Sequence, residues 1–574
     1  MTLEELYNEL PKTAAPRPIT IEIKKQIANA AVPRVQNTAA VPAAEAVGAS
    51  SAAVLLQLIR EKGNYFLPLL SCDDGKTRRN AALIIGQLGL QDCLPALWKA
   101  YEDEDQLMIR SSYLMAMREL DYRSVTEGLK EHLKEVRDAD WTPETTKHLS
   151  EELRLLQDMV LTIGGIRPHT YTGWDEVSEL ILLTNRECQQ ITADEVMAVP
   201  KKTKEDVLLA KCFGPGVRVR TNLLRGVLAC RTYSEALFLL PGCMTCPIDP
   251  KEAAEALYQG GLLQFLETRH EEAAPFMYRL ELKVKEPENN SHADHRNGGK
   301  PEKPFGPKKP ADITLDKGEF ARRFSAEMDR ISGGSLINSV SHYEMEIRLI
   351  PNRSGNFNVL VRLFTIPDDR FAYYREHIAA GMRPETAALL VRLGAPYMKE
   401  GARVLDPFCG VGTLLIERAR YGKLTKDLLE AGSTAEGGRD LSVDTLYGVD
   451  IFGDAIRKAR VNAEEAGLSM IHYVNRDVLT FTHEYRFDEV ISDLPAAGPG
   501  SAMTGEEAEE LFGRFFAKAA SFLSDDAVMI LYCRNLRSLM ESAERRGWHA
   551  VQKTLLNQFE NSYCVILSRN PVGA

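Results

Sequence analysis

Between Arg403 and Glu417 the chain places an acid, two glycines and a hydroxyl where an apolar stretch gives way to a helical one. Asp406 closes the apolar stretch, Phe408 and Cys409 follow, and Gly410 and Gly412 flank a sharp turn ahead of Thr413. Glycines at such a corner allow positive φ and let the backbone come close to a ligand at a helix N-terminus. The spacing is not GxGxxG, because no third glycine stands at the required place. Three more acids recur at the ends of predicted strands: Asp450 in Gly448-Val-Asp, Asp477 in Asn475-Arg-Asp, and Asp493 in Glu489-Val-Ile-Ser-Asp-Leu-Pro495. A turn favours Asp by itself. Four acids in register behind a glycine corner point instead to one pocket beyond the carboxyl ends of a parallel sheet. In such a pocket the second acid is placed for ribose hydroxyls, and the third to accept from an adenine amino group.

The elements needed to hold those residues are present. Strands are predicted at 402–405, 445–449, 470–474, 487–491, 527–533, 550–558 and 562–568, with helical stretches between most of them. The last two follow each other directly and are expected to pair as a hairpin, which gives a doubly wound α/β sheet an antiparallel last strand. Upstream, from about Val54 to Gly164, apolar residues recur at helical spacing, as in Asn80–Leu88 and Ser111–Leu120. Asp74 with Arg79 precedes the first of these much as Asp105 with Arg110 precedes the second, and Leu67-Pro68 and Leu94-Pro95 open neighbouring helices. This echo resembles HEAT repeats, whose stacked helix pairs share one core and serve as docking surfaces. Thr13 to Ala53 is Ala/Pro/Val-rich and poor in aromatics, with room for one short helix, and residues 1–53 are read as a mobile leader or linker. Residues 168–275 and 276–367 alternate strands and helices, among them 217–222, 250–257, 276–284, 319–331 and 359–364. The stretch 287–312, rich in Asn, Gly, Pro, Lys and His, reads as a disordered insertion.

The bulk numbers narrow the classes. The chain has 574 residues, 44% hydrophobic and 26% charged, with a net charge of −11. The length allows three or four domains. No apolar run reaches the length of a membrane span, and the N-terminus lacks a signal-peptide pattern, so a cytoplasmic location and no membrane partner are expected. Ten scattered cysteines do not suggest a disulfide framework, and Cys243-Met-Thr-Cys246 is a lone pair without the four ligands tetrahedral zinc requires, so no metal is expected. The acidic balance confines any nucleic-acid contact to local patches, for which Arg218, Arg220 and Arg225 are candidates.

Asp406-Pro-Phe-Cys-Gly-Val-Gly-Thr413 resembles motif I of S-adenosylmethionine (SAM) methyltransferases that act on RNA. With the acids at the following strand ends, the segment from Asp368 onward resembles the THUMP-associated RNA guanine-N2 methyltransferases, which act on tRNA or ribosomal RNA. The expected architecture is therefore multidomain: all-α HEAT-like repeats at 54–165, an α+β region (ferredoxin-like at 168–275, THUMP-like at 276–367), and a Rossmann-like methyltransferase domain at 368–574. The resemblance implies SAM as cofactor. Asp406, Phe408, Cys409, Gly410, Gly412 and Thr413 would lie along its methionine part, Asp450 and Ile451 at the ribose, and Asp477 and Val478 at the adenine. Arg375 and Arg383-Pro-Glu385-Thr386-Ala387 would help close the cofactor pocket. Asp493-Leu-Pro495 would open the catalytic tetrapeptide.

The residue types suit that chemistry. An exocyclic amine is a weak nucleophile because its lone pair is delocalised into the base, so acceptors that hold the NH2 are needed; Asp493 and the carbonyl beside Pro495 provide them. A cytosine-C5 reaction would need a nucleophilic thiol, and neither Cys409 nor Cys533 is well placed. The family's tetrapeptide usually ends in an aromatic residue that stacks on a flipped base. Here Ala496 stands in that position, with Phe452 and Tyr532 as rings that could substitute. RNA is the expected partner, tRNA ahead of ribosomal RNA, with a protein partner on the repeats also open. The alternatives are a SAM-binding scaffold without catalysis and a methyltransferase of protein or DNA amines.

Overall fold

The computed structural model describes residues 1–28, 51–139, 141–142, 144–164, 169–285, 314–379, 381–433, 435–497 and 503–569. The expected insertion at 287–312, most of the expected leader beyond residue 28, and residues 498–502 after the tetrapeptide lie outside them. The chain divides into two compact units: Met1–His169 with Gly242–Glu267 and Glu272–Val359, and Thr170–Pro241 with Thr268–Glu271 and Leu360–Ala574. The continuous segments expected at 168–275 and 276–367 are thus redistributed, because contacts across the sheets outweigh closeness in sequence.

The first unit opens with stacked helices, including Ser51–Lys62, Gly75–Gln87, Leu94–Glu102, Leu107–Met117, Thr126–Asp138 and Thr146–Gly164. Their apolar faces share one core built around Leu55, Ile84, Leu97, Tyr113 and Leu156. Asp74 caps Gly75–Gln87 by accepting from the Thr77 N–H, and Pro95 sits in the first turn of Leu94–Glu102, where its missing N–H costs no hydrogen bond. Arg78, one residue before the expected Arg79, makes the link to the next repeat: it donates to both oxygens of buried Glu104 at 2.8 and 2.7 Å. Arg110 pairs with buried Glu152 at 3.0 Å.

The leader expectation is corrected at its start. Leu3–Glu9 and Arg17–Ala28 are helices, the first with a capping box from Thr2 and Glu5, and Leu3, Leu6, Tyr7, Ile23 and Ile27 join the core. Their i, i+3, i+4 spacing outweighs the Ala/Pro-rich composition that suggested a tail. The rest of this unit is α+β. Strand Phe276–Leu282 pairs in parallel with Met345–Pro351 and with Leu336–Asn338, and helices Pro250–Gln259 and Lys317–Ser332 pack on each other.

In the second unit, Thr170–Pro241 forms an antiparallel sheet in the order 208–213, 216–221, 178–183, 235–238. The C-terminal part carries seven strands: β1 Ala402–Asp406, β2 Val443–Asp450, β3 His472–Asn475, β4 Phe487–Asp493, β5 Leu523–Cys533, β6 His549–Asn557 and β7 Ser562–Ser568. Their order is β3-β2-β1-β4-β5-β7-β6, with β7 antiparallel to both neighbours and the rest parallel where they pair. The hairpin expected for the last two strands is present, and the expected α/β class holds. The sheet interior is stabilised by Arg418, fully buried, which donates to both oxygens of Glu489 at 2.7 and 3.1 Å and to the Leu441 carbonyl.

The Thr170–Pro241 sheet is anchored to this domain by polar contacts in a buried setting. Arg231 donates twice to Glu417 (2.8 and 2.7 Å), which also accepts from the Tyr373 hydroxyl, and Arg392 reaches Glu195 at 2.8 Å. Cys188 belongs to the same apolar core as Leu415 and Ile491.

Candidate active site

All four predicted acids fall at the carboxyl end of the sheet. Asp406 is buried at the end of β1 and accepts from the Ser492 hydroxyl at 2.6 Å and the Phe408 N–H at 3.2 Å. Burial is the main reason its pKa is pushed up to about 8; those hydrogen bonds oppose the rise, and nearby Asp493 and Asp450 add to it. Asp493, at the end of β4, is pushed up to about 7 by burial, against the pull of Arg534. Asp450 uses each oxygen once to pin loops: it accepts from Gly410 N–H at 2.9 Å and Phe452 N–H at 2.8 Å. Asp477 caps the short turn after β3 by accepting from the Leu479 N–H at 2.9 Å.

The glycines are required by geometry. Gly412 sits at φ +82° at the start of helix Thr413–Glu430, and a Cβ there would lie 2.3 Å from the Tyr473 hydroxyl. At Gly448 a Cβ would meet the Tyr473 ring at 2.7 Å and Cys409 Sγ at 2.9 Å. The segment before motif I is tied down by fully buried Asn462, which accepts from the N–H groups of Arg375 and Glu376 and donates to the Glu376 and Val411 carbonyls.

These elements enclose a cavity of about 520 Å³ lined by Asp406, Phe408, Cys409, Gly410, Thr413, Asp450, Ile451, Asp477, Val478 and Asp493-Leu-Pro495. Gly412 shapes the turn without lining it. Its donor set fits the expected cofactor. Carboxylates suit a cationic ligand, Phe408, Ile451 and Val478 supply apolar surface for a purine, and the buried Thr413 hydroxyl, which lines the site, has no partner among the described residues. Burial raises the Cys409 thiol pKa well above normal and that of Cys533 to about 12, so neither is an activated nucleophile.

A second cavity of about 380 Å³ meets the first at Gly381, Met382, Asp493 and Arg534. Here the structure places Arg383, Glu385 and Thr386, away from the glycine corner, because helix Pro384–Gly394 starts on the other side of Asp493. Its opposite wall comes from Thr184, Asn185, Thr232 and Ser234 of the antiparallel sheet. Tyr532, directly paired with Asp493 across β4 and β5, also lines it, as does Ser562. Phe452, the other candidate ring, is 71% exposed and lies at the first cavity.

Sequence reasoning missed Arg534, Asn535 and the four wall residues. Asn535 fixes the tetrapeptide: its side-chain oxygen accepts from the Ala497 N–H at 2.9 Å, while Leu494 N–H donates to the Tyr532 carbonyl at 3.0 Å. Arg534 and Asn535 directly follow strand β5, as the acids follow theirs, and that position was the available signal. The wall residues had none, since nothing in their local sequence points to a pocket. Of the proposed basic patch, Arg218 pairs with Glu179 and Arg225 stacks over Trp174 at 4.0 Å, while Arg220 is exposed. Cys243 and Cys246 are buried, and burial lifts their thiol pKa values to about 11 and 12.

The strand order, the antiparallel β7 and the acid-lined glycine corner define the doubly wound sheet of a SAM-dependent methyltransferase domain. Residues 372–559 match the family described as RMKL-like methyltransferase domain, and residues 63–142 match HEAT repeats. A curated relative, the tRNA (guanine(10)-N2)-dimethyltransferase of Methanothermobacter thermautotrophicus, is 25% identical over 183 residues, 31% of this chain and 47% of that protein. The chain thus spans about half the length of the curated relative it matches. Among solved structures, TrmN from Thermus thermophilus is 18% identical, covering 68% of this chain and 99% of that one, with a TM-score of 0.44. A possible methylase from Clostridium difficile 630 is 16% identical, covering 70% and 100%, with a TM-score of 0.49. Among the described residues no helix is long and apolar enough to cross a membrane.

Proposed function

We propose that this protein methylates RNA, transferring the methyl group of SAM to the exocyclic N2 of a guanine, in tRNA ahead of ribosomal RNA, and that it does so in the cytoplasm. The observation that carries the reading is the position of Asp493, the one acid that faces both cavities. The first cavity would hold SAM, with Asp406 and Thr413 near its methionine part, Asp450 and Ile451 at the ribose, and Asp477 and Val478 at the adenine. When bound there, SAM supplies an electrophilic methyl group on a positively charged sulfur. The second cavity would take the flipped base, and its polar walls suit the edge of a purine.

Asp493 then does the chain's part of the chemistry. Its ionised carboxylate accepts from the amine N–H, and with the carbonyl beside Pro495 it keeps the nitrogen lone pair aimed at the first cavity. The proton released as the new N–C bond forms passes to Asp493, whose raised pKa suits it to receive one near neutral pH. Asn535 and the Tyr532 carbonyl hold the tetrapeptide in place beforehand. Ala496 cannot stack on a base, and Tyr532, beside Asp493 on the second cavity's wall, is the ring that replaces the missing aromatic.

In this reading the α+β region is a THUMP-like module with a ferredoxin-like partner that grips the RNA, and the HEAT repeats are an accessory docking surface. Labelled methyl transfer from SAM to tRNA from a strain lacking the protein tests the reading, with nucleoside analysis of the product. N2-methylguanosine is the expected result. Label in protein, or in no acceptor while SAM still binds, would overturn it.

A further inference from the structure

A groove in the first unit carries charge of the opposite sign to the methyltransferase pocket. Helix Thr146–Gly164, the last of the stacked helices, and helices Pro250–Gln259 and Lys317–Ser332 of the α+β part line a cavity of about 460 Å³ with Lys147, Lys251, Arg322 and Arg323; among the described residues Glu319 is its one carboxylate. A neighbouring cavity of about 550 Å³ shares Lys251 and Arg323 and adds Trp141.

The first of these two cavities has Glu319 as its carboxylate, whereas the neighbouring one also carries Asp138, Glu255 and Glu327, so the excess positive charge belongs to the first. Glu327 pairs with Arg330, and Asp329 is buried, accepting from Arg137 at 2.8 and 3.2 Å and from Gln157. A Cβ at Gly334 would lie 2.4 Å from the Arg137 guanidinium, so the end of helix Thr126–Asp138 packs close against the turn that follows Lys317–Ser332. By contrast, Lys147, Lys251 and Arg322 are exposed and have no carboxylate partner among the described residues; the Arg322 guanidinium donates only to the Gly318 carbonyl at 3.3 Å. Arg323 reaches Asp249 only at 3.6 Å. Three unneutralised cations in one groove of a chain with net charge −11 are a concentrated local field.

We propose that this groove binds the sugar–phosphate backbone of RNA, holding it through Lys147, Lys251 and Arg322 while Trp141 offers a ring face to an unpaired base. The inference rests on the RNA reading above and adds to it a second, electrostatic contact formed jointly by the repeats and the α+β part. RNA is favoured over an acidic peptide for two reasons. The RNA reading of the second unit supplies a polyanion, and the half-buried Trp141, whose N–H is already bound to the Val136 carbonyl at 3.0 Å, presents to the neighbouring cavity a ring edge or face on which a base can stack and a carboxylate cannot.

The test is tRNA binding by the full chain across a salt series, for wild type, for K147E/K251E/R322E, and for the milder K147Q/K251Q/R322Q. Each phosphate contact contributes close to one unit to the slope of log affinity against log salt. The charge-reversed protein should lose about two units of that slope and about tenfold or more in affinity, and the glutamine variant should fall between it and wild type. SAM affinity and the rate at saturating tRNA should stay unchanged while the KM for tRNA rises. Wild-type tRNA binding that all three proteins share equally would overturn the groove and leave the RNA reading standing. Wild type that binds no RNA at all would overturn both, and wild type that binds polyglutamate as tightly as tRNA would replace the RNA backbone with an acidic protein.

Discussion

The acid-lined pocket of the methyltransferase domain and the cation-lined groove beside the repeats put charge to opposite physical uses. In the pocket the carboxylates are withdrawn from water. Asp406 and Asp493 hold their protons to about pH 8 and 7, so a cationic ligand meets groups that become fully charged when it arrives. In the groove the cations stay in contact with water, and they act at longer range and subject to salt. The first arrangement suits a ligand selected by shape and desolvation; the second, in the proposed reading, would collect a polyanion with little regard for its sequence.

Asp493→Ala should produce the largest effect, removing the acceptor at the junction of the two cavities. Methyl transfer should fall by about 10²–10³-fold with SAM affinity nearly intact by calorimetry; unchanged turnover would sink the mechanism. Next, Tyr532→Ala should raise the KM for RNA by about ten- to a hundredfold, the equivalent of about 1–3 kcal/mol of stacking, while Tyr532→Phe stays close to wild type. Equal losses in both variants would assign the effect to the hydroxyl contact with Glu560 and leave Ala496 without a substitute.

Smaller effects separate pocket from groove by pH. Because Asp493 must be ionised to accept from the amine, kcat/KM should rise by about tenfold between pH 6 and 8, following one ionisation near 7. Tight tRNA binding through Lys and Arg should be flat over the same range. The smallest is a stability effect. A carboxyl whose folded pKa is raised is protonated in both states below about pH 4, and from there to about 7 only the unfolded chain gives up its proton, so stability falls as pH rises. Asp493→Asn removes that loss. In the ligand-free protein its Tm should exceed wild type by a few degrees at pH 8, with the gap shrinking toward pH 4; a constant gap would mean that Asp493 is not desolvated.

Much of this was readable in the chain because it depends on local backbone rules. Gly410 and Gly412 announce a corner only glycine can make, and apolar runs ending in Asp announce strands whose ends share one edge once the sheet is parallel. The packed helices 3–9 and 17–28 were misjudged because composition was weighed above the spacing of Leu3, Leu6, Tyr7, Ile23 and Ile27. The placement of Arg383, Glu385 and Thr386 at the second cavity could not be read, because it depends on where helix Pro384–Gly394 begins relative to Asp493.

By itself, then, the sequence determined the doubly wound domain, its four acids, the repeats and the absence of a ring at Ala496, since each follows from residue type and short-range spacing. Only the tertiary structure decided that Asp493 serves two cavities, that Thr184, Asn185, Thr232 and Ser234 wall one of them, and that Lys147, Lys251 and Arg322 share a groove. Those residues lie far apart along the chain, and what brings them together is the packing of whole elements, held by buried pairs such as Arg231 with Glu417 and Arg137 with Asp329.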